Sequence, residues 1–238
     1  MSESKELSIL VVGAHPDDIE FGCGAILLKE AESGARIHFL VCSLGEAGSN
    51  GTPQEREAES RAAAARCGAT IDFIECGGDG NMQATPETAR GIARRIRETK
   101  ATVLLAPSLV ANQHPDHSAI GKAAQDAARL ARYAGIAELS DAPPHAIASL
   151  YFYAITPGAE PREGTPFVFD VSLQVDAWRE MMNCHQSQMK TRRYLDLQLS
   201  RARTLGLQTG CEYAQALWPN DPVLVNGLNS APRGIRLF

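Results

Sequence analysis

An imidazole and three carboxylates fall within six residues at His15-Pro16-Asp17-Asp18-Ile19-Glu20, and His114-Pro115-Asp116-His117 repeats the pattern much further along the chain. Imidazole and carboxylate donors suit a borderline ion such as zinc, and a catalytic zinc site takes three protein ligands while keeping one position open. His15 and Asp18, three residues apart across a turn, could supply two ligands. One histidine of the second cluster could supply the third, and spacing alone leaves open which of His114 and His117 it is. Hydrolysis needs the remainder: Asp17 to take a proton from the attacking water, and the other imidazole to face the developing oxyanion or leaving group. Asp116 would orient one imidazole through its second N–H. Each cluster also has an ordinary explanation. His-Pro-Asp is commonly a turn, and Asp at a helix entrance is commonly an N-cap. Two such clusters together point to a site.

The clusters follow apolar, strand-like runs. Leu7 to Ala14 is expected as the first strand, with Asp18 to Ser33 as a helix stopped by Gly34. Strands follow at 35–42, 71–75 and 101–107, with helices at 52–67, from Thr85-Pro86 to about 100, and at 118–133. Thr52-Pro53-Gln54-Glu55 is a capping box with proline at the first helical position. This alternation implies an α/β chain with a Rossmann-like, mostly parallel sheet and helices on both faces. The two clusters can share one mouth only if strands one and four are neighbours. Beyond Tyr133 the pattern becomes a mixed β/α part, with strands at 148–155, 166–171 and 222–225 and helices at 172–188 and 190–205. Residues 1–238 are expected to form a single domain.

The chain has 238 residues, 44% hydrophobic, with a net charge of −5 and no basic stripe, which argues against a nucleic-acid partner. No apolar run approaches the ~18 residues of a membrane span, and the first one is cut short by His15-Pro16-Asp17-Asp18, so a cytoplasmic location is expected. The six cysteines lack Cys-x-x-Cys spacing and are expected to be reduced. Cys23 lies near the first cluster, but Gly22 and Gly24 on either side suggest close helix packing rather than a nucleophile. His38 is expected to be a satisfied core histidine, and His145 and His185 structural or exposed. Trp178 and Trp218 are expected in the core. Glu20 is expected to be a first-turn acid favoured by the helix dipole. The loop at 43–51, with three glycines, is long enough to suggest binding.

A dinucleotide site is excluded because Gly13, Gly22 and Gly24 do not form G-x-G-x-x-G, and two aspartates at the helix start would repel a pyrophosphate. A metal-dependent phosphoesterase would want more ligands and a bridging carboxylate. A non-catalytic sugar-binding module would not need a base beside a metal ligand.

Ala14-His15-Pro16-Asp17-Asp18-Ile19-Glu20 with His114-Pro115-Asp116-His117 resembles the paired signature of the LmbE-like (PIG-L) zinc-dependent N-acetylglucosaminyl deacetylases. Ser49-Asn50-Gly51-Thr52, Pro144-His145 leading into Tyr151-Phe152-Tyr153, and the Tyr213-Ala214 to Pro222-Val223-Leu224 tail are most similar to the bacillithiol-biosynthesis branch. The resemblance covers nearly the full length. It implies that His15, Asp18 and His117 bind Zn2+, or Fe2+ with the same donor set, that Asp17 is the general base, and that His114, held by Asp116, stabilises the transition state. It further implies that Glu46, Arg56, Asp79 and Tyr194 contact the substrate, a GlcNAc-type conjugate that loses its N-acetyl group, in a homo-oligomer (trimer or hexamer). The chain departs from the branch at Ala134-Gly135-Ile136-Ala137, where relatives carry an arginine, so a cation that would meet an acidic aglycone such as malate is lacking.

Overall fold

Along Ser8–Gly13, strand β1, Ile9 and Val11 face one side and Leu10 and Val12 the other, and all six residues are buried. A strand buried on both faces requires helices above and below it. The computed structural model, which describes residues 6–111 and 114–235, supplies them. Beside β1 on one flank lie β2 (Arg36–Val41) and β3 (Thr70–Phe73), and on the other β4 (Val103–Pro107) and β5 (Ser149–Tyr153), all parallel. β6 (Phe167–Asp170) and β7 (Ala214–Pro219) complete a seven-stranded sheet of order β3-β2-β1-β4-β5-β7-β6, in which β7 runs antiparallel to both its neighbours.

Helices α1 (Asp18–Glu32), α2 (Pro53–Arg66), α5 (Val175–Met182) and α7 (Tyr194–Thr209) cover the Ile9/Val11 face. Helices α3 (Pro86–Thr99) and α4 (Pro115–Leu130) cover the other. β1 and β4 are direct neighbours, with Ile9 opposite Val103. The chain leaves β1 towards β2 and enters β4 from the opposite flank, so the strand order reverses between them. Open α/β sheets collect ligands at that crevice. The adjacency that the two clusters required is therefore present.

Local signals placed most of the elements. Thr52 caps α2 through the expected reciprocal box with Glu55. Helix α4 begins three residues before the expected Ser118, because Pro115 takes the first helical position after His114 as N-cap. Asp116 and His117 consequently sit in its first turn. Gly22 and Gly24 pack as expected: a Cβ on Gly22 would overlap the Tyr153 ring of β5, and one on Gly24 would press on Trp178 of α5. Gly22→Ala should therefore cost about 1–3 kcal/mol by overpacking. For a chain of this size that means a melting temperature lower by roughly 2–12 °C in calorimetry.

The C-terminal half corrects several expectations. The helix expected at 172–188 is a single turn at Ser172–Gln174, then α5, then a break before the short α6 (Gln186–Met189). The last helix begins at Tyr194 rather than 190 and runs to Thr209, where Gly210 adopts the left-handed conformation that ends it. The strand expected at 222–225 is absent, and the sheet instead takes Ala214–Pro219. That segment has weaker strand propensity, but pairing on both sides decides the matter. His38 is not a core residue; it is partly exposed at the β2–β3 edge, bonded to Thr70 Oγ1 at 2.6 Å and 3.2 Å from Asp72. Trp178 is buried, whereas Trp218 is only partly so. All six cysteines are free, and burial pushes the Cys23 thiol well up, away from nucleophilic use.

Candidate active site

The loops after β1 and β4 bring the two clusters together. The His15 ring meets His114 edge-on at 4.3 Å between centroids and His117 at 5.3 Å. Asp18 is the first residue of α1, and its Oδ2 accepts the N–H groups of Ala14 and His15, both at 2.9 Å. Its Oδ1 lies 3.1 Å from His117 Nε2. Although burial opposes ionisation, His117 and His15 hold this carboxyl well below its usual range. Asp18 thus locks the turn with one oxygen and presents the other to an imidazole.

Asp17 behaves differently from its neighbour. It occupies the N-cap position of α1, yet its side chain makes no capping hydrogen bond and its backbone is left-handed, with φ 107°. The ordinary explanation, an N-cap, does not hold. A non-glycine residue kept in that region stores strain, which the surroundings must enforce. Burial and repulsion from Asp18 raise its pKa to about 6, against the lowering influence of Arg56, His185 and His15. A carboxylate poised near neutrality is matched to proton abstraction.

Three carboxylates surround His15. Its Nε2 is 3.1 Å from Asp79 Oδ1 and 3.1 Å from Asp116 Oδ2, and Asp18 lies behind Nδ1 at 3.5 Å. Burial alone would lower its pKa, but Asp18 and Asp79 override that and raise it to about 11. Asp116 Oδ2 also takes the Gly80 N–H at 2.7 Å, and it stands at hydrogen-bond distance from the His15 imidazole. Asp79 Oδ1 also lies 3.9 Å from His114 Nε2. Burial and the neighbouring His15 and His117 lower the pKa of His114. A neutral imidazole still donates one N–H to an oxyanion.

Among the described residues, donor atoms of His15, His114 and His117 lie within 4.8 Å of one another, as do those of His15, Asp79, His114 and Asp116. Among the described residues His117 Nδ1 is buried without a hydrogen-bond partner, and so is Asp116 Oδ1. Imidazole nitrogens crowded against ionised carboxylates form a donor set for a divalent cation, and the residues present fit one.

The other expected contacts are distributed unevenly. Arg56 is 4% exposed; its guanidinium donates to the carbonyls of Gly45 (2.8 Å) and Pro16 (2.9 Å) and lies 3.8 Å from Asp17. The glycine loop wraps this side chain, and a Cβ on Gly45 would collide with the guanidinium. Arg56→Lys keeps the charge but loses the planar fork that spans both carbonyls. The expected cost is about 1.5–3 kcal/mol in denaturant unfolding, the range for hydrogen bonds to charged groups. Glu46 is exposed and ties loops together, accepting the N–H groups of Asp79 and Leu44. Tyr194 stacks on Phe21, with centroids 5.7 Å apart.

A cavity of about 230 Å³ opens over the cluster, bordered by Asp17, His114, Tyr194, Gln188 and Gln198. Those glutamines gave no sequence signal, since only the docking of α6 and α7 carries them here. Neither did the pair of His185 and Glu20, both buried, 3.2 Å apart behind Asp17. Glu20 is thus more than a first-turn acid. His145 is structural, with its Nε2 2.7 Å from the Ala101 carbonyl.

Fold and site together define an α/β protein with a His/Asp metal-type centre at the strand-order reversal of its sheet. The family model described as GlcNAc-PI de-N-acetylase (PIG-L) matches residues 10–128. The 1D-myo-inositol 2-acetamido-2-deoxy-alpha-D-glucopyranoside deacetylase 2 of Catenulispora acidiphila is 30% identical, over 72% of this chain and 70% of that protein. The chain belongs to the PIG-L family. The crystal structure of the conserved protein TT1542 from Thermus thermophilus is similar to it, with a TM-score of 0.81 and 31% identity over 92% of this chain and 97% of that one. The 4-carboxy-2-hydroxymuconate hydratase GalB from Pseudomonas putida KT2440 shares the fold, with a TM-score of 0.77 and 24% identity over 93% of this chain and 99% of that one. Among the described residues no helix is long and apolar enough to cross a membrane.

Proposed function

We propose that this protein is a metal-dependent deacetylase that hydrolyses the N-acetyl group of an N-acetylglucosaminyl conjugate to acetate and a free amine. The observation that carries the reading is the pair of adjacent aspartates in opposite roles. Asp18 is held ionised against His117 and His15, while Asp17, free of capping duty, is poised near neutral pH at the cavity. In this reading His15, Asp18 and His117 hold the metal, either zinc or iron(II). A divalent ion held there supplies Lewis-acid polarisation of the amide carbonyl and a lowered pKa for water.

The remaining work falls to the chain. Asp17 accepts the proton of the attacking water and later passes it to the leaving amine. His114, at the cavity wall, donates N–H to the oxyanion as the carbonyl carbon becomes tetrahedral. Asp79 and Asp116 fix the His15 ring. Arg56 holds the Pro16 carbonyl, and with it the turn that aims Asp17; Tyr194 and Glu46 border the sugar. The finer substrate assignment, to GlcNAc-malate-type conjugates of bacillithiol biosynthesis, rests on the similarity at Ser49–Thr52 and in the tail, and Ala137 removes a cation that an acidic aglycone would use.

The test is amine release from a panel of GlcNAc conjugates with neutral and acidic aglycones, assayed beside a generic phosphodiester and an unsaturated dicarboxylate. Release from at least one GlcNAc conjugate is expected, with neutral aglycones preferred. Faster phosphodiester cleavage, or hydration of the dicarboxylate without any amine release, would overturn the reading.

A further inference from the structure

Between α5 and α7 the chain reads His185-Gln186-Ser187-Gln188, and all but Gln186 turn inward. His185 and Ser187 are buried, and each meets an acid on a different helix. His185 Nε2 lies 3.2 Å from Glu20 Oε1 of α1. Ser187 donates its backbone N–H and its hydroxyl to Glu59 of α2, at 2.7 and 2.6 Å. Burying ionisable and polar groups carries a desolvation cost that apolar residues of similar size would avoid. What the two anchors gain is a fixed position for the residue beside them, Gln188.

Gln188 borders the cavity over the His/Asp cluster. Its amide nitrogen is turned away, donating to the Asn50 carbonyl at 2.8 Å and to Ser187 Oγ at 2.9 Å. A carbonyl oxygen can only accept, so the atom facing Asn50 must be the nitrogen, and the amide has one orientation. Asn50 is itself tied to this segment, its Nδ2 donating to Thr191 Oγ1 at 2.9 Å. Gly51 fits the same seam: its φ is 77°, and a Cβ there would come within 2.7 Å of the Ser187 side chain. The glycine loop and α6 therefore close on each other and hold the Gln188 amide rigidly.

Among the described residues no N–H or O–H donates to Gln188 Oε1. The other strong groups at the cavity are already engaged. In the proposed mechanism Asp18 holds the metal and Asp17 takes a proton, and Arg56 is bound to the Gly45 and Pro16 carbonyls. A neutral, oriented acceptor at the wall is complementary to a hydroxyl and repels a carboxylate. We propose that Gln188 is a specificity-determining residue that accepts a hydrogen bond from a ring hydroxyl of the substrate sugar, held for that contact by the His185 and Ser187 anchors.

The contact rests on the deacetylase reading, and the test keeps the two apart. The methyl glycoside of GlcNAc is compared with its 3-, 4- and 6-deoxy analogues on the metal-loaded wild type and on Gln188→Leu. Turnover is read as amine release, and binding by titration calorimetry. In the wild type one deoxy analogue should fall about tenfold in kcat/KM, the contribution of one hydrogen bond. In Gln188→Leu the parent glycoside should fall by the same factor, chiefly through KM, while that analogue falls no further and the two become equal. A residue that only staples α6 to the glycine loop would lower both alike and leave their ratio standing, which would overturn the proposal. Indifference of the wild type to all three deoxygenations would overturn it with no variant involved, so the stability of Gln188→Leu does not decide the outcome. Absence of amine release from every glycoside would sink the deacetylase reading, and the same ratios taken from binding constants would then decide the hydroxyl contact. No binding of any glycoside would overturn both.

Discussion

Asp17→Asn is expected to retain the fold and the metal while losing amide hydrolysis by roughly 10²–10⁴-fold, the contribution of a positioned general base. The same substitution should stabilise the metal-free protein. Burial and Asp18 raise the folded-state pKa of Asp17 to about 6, above the carboxyl's ordinary 3.8, so folding disfavours its charged form. The folded state then binds the proton more tightly, and its stability falls as pH rises from about 4 to about 6, remaining depressed above that. Asparagine carries no charge at any pH. Its advantage should be on the order of 1–3 kcal/mol at pH 8 and should vanish near pH 4. Denaturant unfolding of both metal-free proteins at the two pH values, with deacetylation rates measured on the loaded forms, checks the pair of effects. Full activity in Asp17→Asn would remove the general base from the mechanism, and equal stability at pH 8 would show that Asp17 is not under electrostatic strain.

Metal content should separate His117 from His114. His117→Ala is expected to lose most of the roughly one divalent ion bound per chain, because His117 Nε2 shares the pocket with Asp18 Oδ1 at 3.1 Å. His114→Ala should keep its metal and lose rate, since in the proposed mechanism His114 faces the oxyanion. Asp18→Ala should lose metal and stability together. It removes a ligand and also leaves the buried N–H groups of Ala14 and His15 without their acceptor, at about 1–3 kcal/mol for each unsatisfied group. Elemental analysis and calorimetry of the three variants decide the assignment. The grouping of His15, His114 and His117 within 4.8 Å makes a three-histidine set the natural rival. Metal loss in His114→Ala with retention in Asp18→Ala would establish it.

The features legible in the amino-acid chain alone are local in origin. The order of strands and helices up to residue 130 followed from apolar periodicity and from caps such as Thr52–Glu55, because those signals act within a few residues of where they are written. The two His/Asp clusters and their place at strand ends were legible for the same reason. Their meeting was conditional on β1 lying beside β4, and pairing across ninety-odd residues decided it. The different tasks of Asp17 and Asp18 were decided by tertiary structure too: only the folded turn gives Asp18 its two N–H donors and leaves Asp17 uncapped in a left-handed backbone. So were the orientation of Asp116 towards His15, the burial of Arg56 inside a glycine loop, and the pairing of His185 with Glu20. Beyond Tyr133 the local signals found β5, β6 and α7 but placed a strand at Val223-Leu224-Val225 and missed the one at Ala214–Pro219. Strand propensity is satisfied only where a neighbouring edge offers its N–H and C=O groups, and within this sheet β5 and β6 offer theirs to Ala214–Pro219.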